Sequence, residues 1–138
     1  MADVMEKIHE ELNNRQIVHH MAQCDGEKLI VVPIKGRHMI HEFLIEYQNQ
    51  QESEAWILIP KLVKIPENKF EQAYELLNRF HNTYSFYCFA LMDDGAVRFA
   101  HSMIPYSGAP EKQVVKLLST GIQILNECVP DLLRLVYM

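Results

Sequence analysis

The sequence has no cysteine pair at metal-ligand spacing, no basic run, no long apolar run and no stretch rich in glycine or serine. Each missing feature excludes a class of protein. Cys24, Cys88 and Cys128 are three, far apart, and form no CxxC. A disulfide-stapled scaffold or a zinc ribbon is therefore not expected, and free, mostly buried thiols in a reducing cytosol are. Thirteen basic against eighteen acidic side chains leave a formal charge of −5. Nucleic acid and anionic membrane both need clustered Lys and Arg, so neither is an expected partner. The longest apolar runs, "LIVVPI" and "FYCFALM", are too short to span a bilayer, and "MADVMEKIHEEL" has no apolar signal core. A soluble, cytoplasmic chain is the expectation. GxSxG, HExxH, GxGxxG and the P-loop are all missing. With no internal repeat or linker, the 138 residues read as one domain with a sizeable core, since 49% are apolar and 22% charged.

The patterning that is present alternates between helical and strand periods. Residues 3–13 form a short amphipathic helix with Asp3 as N-cap and Val4, Ile8 and Leu12 on one face. "QIVHHMA" (16–22) and "KLIVVPI" (28–34) read as strands joined at Asp25-Gly26, and Pro33 should end the second or place it at an edge. "HMIHEFLIEY" (38–47) alternates, the polar "QNQQES" reads as a loop, and "EAWILI" (54–59) follows. Pro66 fits the first turn of a helix whose inward stripe is Phe70, Ala73, Tyr74, Leu77 and Phe80. "SFYCFALM" and "AVRFAHSM" flank Asp93-Asp94-Gly95 as two more strands. The last segment reads as a long helix with Val114, Leu118, Gly121, Leu125 and Cys128 inward, and Pro130 should end or kink it. Gly121 inside that stripe predicts a close approach of helix backbone to sheet. The expected order is α-β-β-β-β-α-β-β-α.

Candidate chemistry is sparse. Asp93-Asp94-Gly95 reads as a hairpin turn of type I′ with both carboxylates in water, because no further oxygen ligands follow at loop spacing. His19-His20 and His38/His41 are the only histidine groupings; in strands the members of each point to opposite faces and do not chelate as a unit. A cross-strand metal site would need one histidine from each group plus Cys24. Cys88 and His101 are the one conceivable nucleophile pair, but Cys88 lies in an apolar run and reads as buried and inert. Asn78 reads as a structural amide satisfied by nearby backbone. No catalytic residue, no cofactor ligand and no metal ligand can be named, so a non-enzyme is expected.

The most informative feature is that several strands are apolar on both faces. In "EAWILI", Trp56 and Leu58 face away from Ala55, Ile57 and Ile59; in "HMIHEFLIEY", Ile40 and Leu44 face away from Phe43 and Ile45. Antiparallel sheets with one wet face normally alternate apolar and polar. Three helices, one very short, can cover one face of a six-stranded sheet. The other face then needs a partner, unless strand curvature and loops hide it.

Over 73–135, "AYELLNRFHN", "FYCFALMDDGAVRFAHSMIP" and a long helix containing "ECVPDLLRL" resemble the YbjN family of small bacterial proteins. Leu77-Asn78 matches that family's first Leu-Asn, whereas Phe80-His81 stands where a second is frequent. The resemblance implies an α+β fold like that of type III secretion chaperones, a curved antiparallel sheet with helices packed on one face. It also implies a regulatory or chaperone-like binder without agreed catalytic residues. Together these readings predict a non-catalytic protein-binding module, a homodimer or client binder. Its contact residues are Ile40, Leu44, Trp56 and Leu58. The alternative is a small-molecule or metal sensor using the His-rich first half.

Overall fold

The computed structural model describes residues 4–24, 26–48, 51–105 and 109–138. The elements run α1 (Val4–Asn14), β1 (His20–Cys24), β2 (Glu27–Lys35), β3 (Ile40–Gln48), β4 (Gln51–Ile59), a 3-10 turn (Glu67–Lys69), α2 (Phe70–Thr83), β5 (Cys88–Leu91), β6 (Val97–Pro105) and α3 (Pro110–Tyr137). This is the order expected from the sequence. The strands form one open sheet, β1-β2-β3-β4-β6-β5, with every neighbouring pair antiparallel.

The core lies between one sheet face and the helices. Ile30, Val32, Phe43, Ile45, Ala55, Ile57, Ile59, Phe89, Val97 and Phe99 share it with Val4, Met5, Ile8 and Leu12 of α1 and with the inner stripe of α3. Each strand contributes alternate residues, as the period of two requires. All five α3 residues expected inward are buried, and Lys112, Lys116, Gln123 and Glu127 lie on the exposed arc. The Asp3 cap falls outside the described residues.

Several boundaries differ from the sequence reading, each for an identifiable reason. β1 starts at His20, not at 16, because α1 ends in a left-handed cap. Gln16 has φ 58°, its N–H donates to the Asn13 carbonyl, and the Ile17 N–H reaches back to the Leu12 carbonyl at 2.9 Å. β2 does not end at Pro33. It runs to Lys35, pairing Pro33 with Glu42, but β1 reaches only to Val31, so beyond it β2 is a local edge that tolerates a missing donor. Most of the expected "QNQQES" loop is strand, since β4 begins at Gln51 and pairs it with Gln48. In α2 the buried stripe is Ala73, Leu76, Leu77 and Phe80, while Tyr74 is 57% exposed. At about 100° per residue, Tyr74 lies roughly a quarter-turn or more from the centre of that stripe.

Pro130 neither ends nor interrupts α3, which continues to Tyr137. A proline inside a helix costs about 3 kcal/mol. Burying Val129 and Leu132, both fully inaccessible, returns roughly 1.5–3 kcal/mol each, so packing outweighs the local penalty.

The Asp93-Asp94-Gly95 turn is a three-residue loop, not the two-residue type I′ turn expected. The Met92 N–H bonds the Ala96 carbonyl at 2.8 Å and the Gly95 N–H bonds the Met92 carbonyl at 2.9 Å. Only Gly95 has positive φ, at 92°, whereas type I′ needs it at both central residues. Asp94 accepts the Ala96 N–H at 3.0 Å, and both carboxylates are exposed. The segment before α2 crosses this turn: the Ile65 N–H bonds the Gly95 carbonyl, and Lys64 bridges Ala96.

That crossing makes a specific prediction. A Cβ at Gly95 would stand 2.6 Å from the Ile65 carbonyl oxygen, whereas one at Gly26, also at positive φ, would meet nothing within 4 Å. In chemical denaturation, Gly26→Ala should cost about 1 kcal/mol, the left-handed penalty alone. Gly95→Ala should cost at least about 1 kcal/mol more, because backbone must move. Equal losses would contradict this account of the turn.

Candidate functional site

The face of the sheet turned away from the helices is built by register. His20 pairs with Val31, Val31 with Leu44, Leu44 with Leu58, Leu58 with Ala100, and Ala100 with Cys88. Paired residues point the same way, so one row crosses all six strands. Its four central members, Val31, Leu44, Leu58 and Ala100, are apolar and none belongs to the helix-packed core. Among the described residues, the helices meet the sheet through the other parity.

All four contact residues expected from the sequence lie on this face, but they are not equally accessible. Ile40 is 64% exposed, Leu44 and Trp56 are half-buried, and Leu58 is only 4% exposed. Leu58 sits in the middle of the row beneath its neighbours. The accessible apolar surface is therefore Ile40, Leu44 and the Trp56 indole.

Two polar residues flank Trp56 on this face and were missed by the sequence reading. Glu46 stands directly opposite Trp56 in the β3–β4 hairpin and accepts the indole N–H at 3.1 Å. The Arg98 guanidinium lies over the Trp56 ring, 5.5 Å from its centroid, within cation–π range. Strand parity groups Glu46 with Leu44 and Arg98 with Ala100, but bringing either to Trp56 takes the strand order and register of the sheet.

The remaining candidates are dispersed. Cys88 is exposed rather than buried, because β5 is an edge strand and its first residue points to the bare face. His101 follows Ala100 and so takes the other parity; its Nδ1 bonds the Phe86 carbonyl, and no Cys88–His101 pair forms on a shared face. Of the other two cysteines, Cys128 is buried, and burial pushes its thiol up to about 12, while the side chain of Cys24 lies outside the described residues. Asn78 is exposed, not a buried amide.

The histidines are absorbed by local structure. His19 precedes β1, so the strand argument for His19-His20 does not apply. The Ile17 carbonyl can only accept, so His19 Nδ1, 2.7 Å from it, donates. His19 Nε2 then accepts from His9 Nδ1 at 2.8 Å, and the Asn13 amide donates to His9 Nε2 at 3.3 Å. His38 likewise precedes its strand, and His41 is buried on the helix side of β3. Among the described residues, no three His, Cys, Asp or Glu side chains gather to hold a metal.

Helices confined to one face of a six-stranded antiparallel sheet define an α+β protein whose other sheet face carries no helix among the described residues. A family model for YbjN, described as "Putative bacterial sensory transduction regulator", matches residues 3–134, so the chain belongs to the YbjN family. No curated protein and no solved structure matches it. The family's description is that of a regulator. No helix among the described residues is long and apolar enough to cross a membrane.

His41 makes stability depend on pH. Desolvation by burial, with His38 adding to it, lowers its pKa below the ordinary 6.5. The unfolded chain then binds the proton more readily than the folded one, so stability falls as pH drops through 6.5 and levels off below the folded pKa. Urea midpoints should decline less steeply with acid for His41→Gln than for the wild type. Parallel declines would contradict a role for His41.

Proposed function

We propose that this protein is a non-catalytic regulatory module that binds protein through the bare face of its sheet, and that its first partner is a second copy of the same chain. The observation that carries the reading is the apolar row Val31–Leu44–Leu58–Ala100, which lies outside the helix-packed core. A sheet face meant for water would carry polar residues at these alternate positions. Ile40 and the half-buried Trp56 extend the same surface outward.

A two-fold arrangement suits this face. An isologous interface must be self-complementary, and on this face Trp56 is flanked by a carboxylate, Glu46, and a guanidinium, Arg98. Two copies laid face to face can set the row of one on the row of the other and exchange these charges across the axis. Membership of a family described as regulatory supports a role exercised through binding.

Sedimentation velocity should show a concentration-dependent dimer for the wild type. Leu44→Glu puts an unpaired carboxylate into the interface at a cost of at least about 1.4 kcal/mol, which is tenfold or more in affinity. That variant should sediment as a monomer with an unchanged circular-dichroism spectrum; Ile40→Glu, at the most exposed position, serves if Leu44→Glu fails to fold. A wild type that stays monomeric at high concentration, or variants that dimerise as well as it does, would overturn the self-association.

A further inference from the structure

Beside the start of β5 the bare face deepens into a cleft of about 630 Å³, within the range of roughly 300–1,000 Å³ typical of small-ligand sites. Its floor is Ala100 of β6 and Cys88 opposite it. One wall is Trp56 with Arg98, and the other is the segment leaving α2, which carries Phe86. Small side chains flanked by two aromatic ones shape a slot suited to a flat group.

The charge of the cleft is opposite to that of the chain. The protein carries a formal −5, yet among the described residues Arg98 lines the cleft and no Asp or Glu does. Arg98 belongs to neither of the ion pairs Arg15–Glu11 and Arg134–Asp131 and has no carboxylate partner among the described residues. Glu46 is occupied by the indole N–H, and Glu127 accepts the Tyr84 hydroxyl at the rim at 2.5 Å. The guanidinium, braced over the Trp56 ring, keeps its fork of donors for an incoming acceptor.

Phe86 is the third observation. It is 59% exposed and its φ is 77°, a left-handed backbone that is uncommon for a bulky side chain. His101 holds that conformation by bonding the Phe86 carbonyl. Conformations of this kind gather at ligand clamps, where surrounding contacts maintain them. On the other side of Phe86 and His101 lies a second hollow of about 180 Å³, lined in part by Lys116, which adds another cation nearby.

The geometry points to a ligand site that nothing else in the chain's reading assigns: the cleft between Trp56–Arg98 and Phe86 binds a small organic anion with a flat apolar body. The anionic group sits on the Arg98 fork, and the body lies over Ala100 against Phe86 and the indole. The ligand class is an aromatic carboxylate or an aromatic phosphate ester, and the two share the same recognition chemistry. This site does not depend on self-association, although it opens on the same face.

Trp56 is the only tryptophan, so its fluorescence reports on the wall of this cleft. Benzoate and phenyl phosphate serve as the two anionic probes and benzyl alcohol as the neutral control, titrated into both the wild type and the Leu44→Glu chain. At least one anion should change the emission saturably, the neutral control should not, and the stronger anion identifies the class. Arg98→Gln should weaken that anion at least tenfold, and Phe86→Ala should weaken it too. Lys112→Gln, on the exposed arc of α3, should leave it unchanged. Saturation only in Leu44→Glu supports the site and shows that a bound copy covers it. Three results would overturn it: no saturable change in either chain, equal binding of benzyl alcohol, or an Arg98→Gln protein that binds as the wild type does.

Discussion

A methyl group at position 121 would come within 3.0 Å of the Tyr87 hydroxyl and 3.1 Å of a Phe43 ring carbon. Neither neighbour can retreat easily. Tyr87 donates its hydroxyl to the Leu117 carbonyl at 2.8 Å and stacks on Phe99 with ring centroids 4.2 Å apart, and Phe43 is fully buried. The same burial pushes the Tyr87 phenol well above its ordinary pKa, keeping it a neutral donor. A glycine in a helix costs about 1 kcal/mol relative to alanine, and here that cost lets the α3 backbone rest directly on the Tyr87 and Phe43 rings. The position of α3 sets the rest: α1 packs against it, and α2 closes the end over β5.

Because all three helices meet the sheet through one parity of each strand, the other parity is left to the strands themselves. Val31, Leu58 and Ala100 are nearly inaccessible without any helix above them, shielded by their neighbours on the same face. Trp56, held flat between Glu46 and Arg98, supplies part of that shielding. The face is thus neither an ordinary wet face nor an open greasy patch. It is a surface whose centre is already dry and on which Ile40, Leu44 and Trp56 stay accessible.

The sequence carried the fold well and the site in part. The element order, the inward stripe of α3 and the role of Gly121 follow from periodicity, which tertiary packing reinforces here. Local signals failed where tertiary contacts outweighed them: Pro130 is carried inside α3 by Val129 and Leu132, and Pro33 is tolerated because β1 stops short. The Asp-Asp-Gly turn was correctly read as a turn, but its type was set by Gly95 alone having positive φ. Ile40 with Leu44, and Trp56 with Leu58, were placed together by alternation within each strand. Glu46 and Arg98 were not, because linking them to Trp56 needs strand order and register, and sequence spacing holds neither. The exposure of Cys88 was missed for the same reason, since an apolar run does not say which strand is at the edge.

If the proposed dimer forms, the two faces have unlike roles, one a core and the other an interface between copies. Hydroxyl-radical footprinting as a function of protein concentration tests this directly, because it reads side-chain access face by face. Ile40 and Trp56 should become protected as concentration rises, while Tyr74, exposed on α2 away from the sheet, stays constant. Protection of Tyr74 alone, or no change at Ile40 and Trp56 at any concentration, would contradict it.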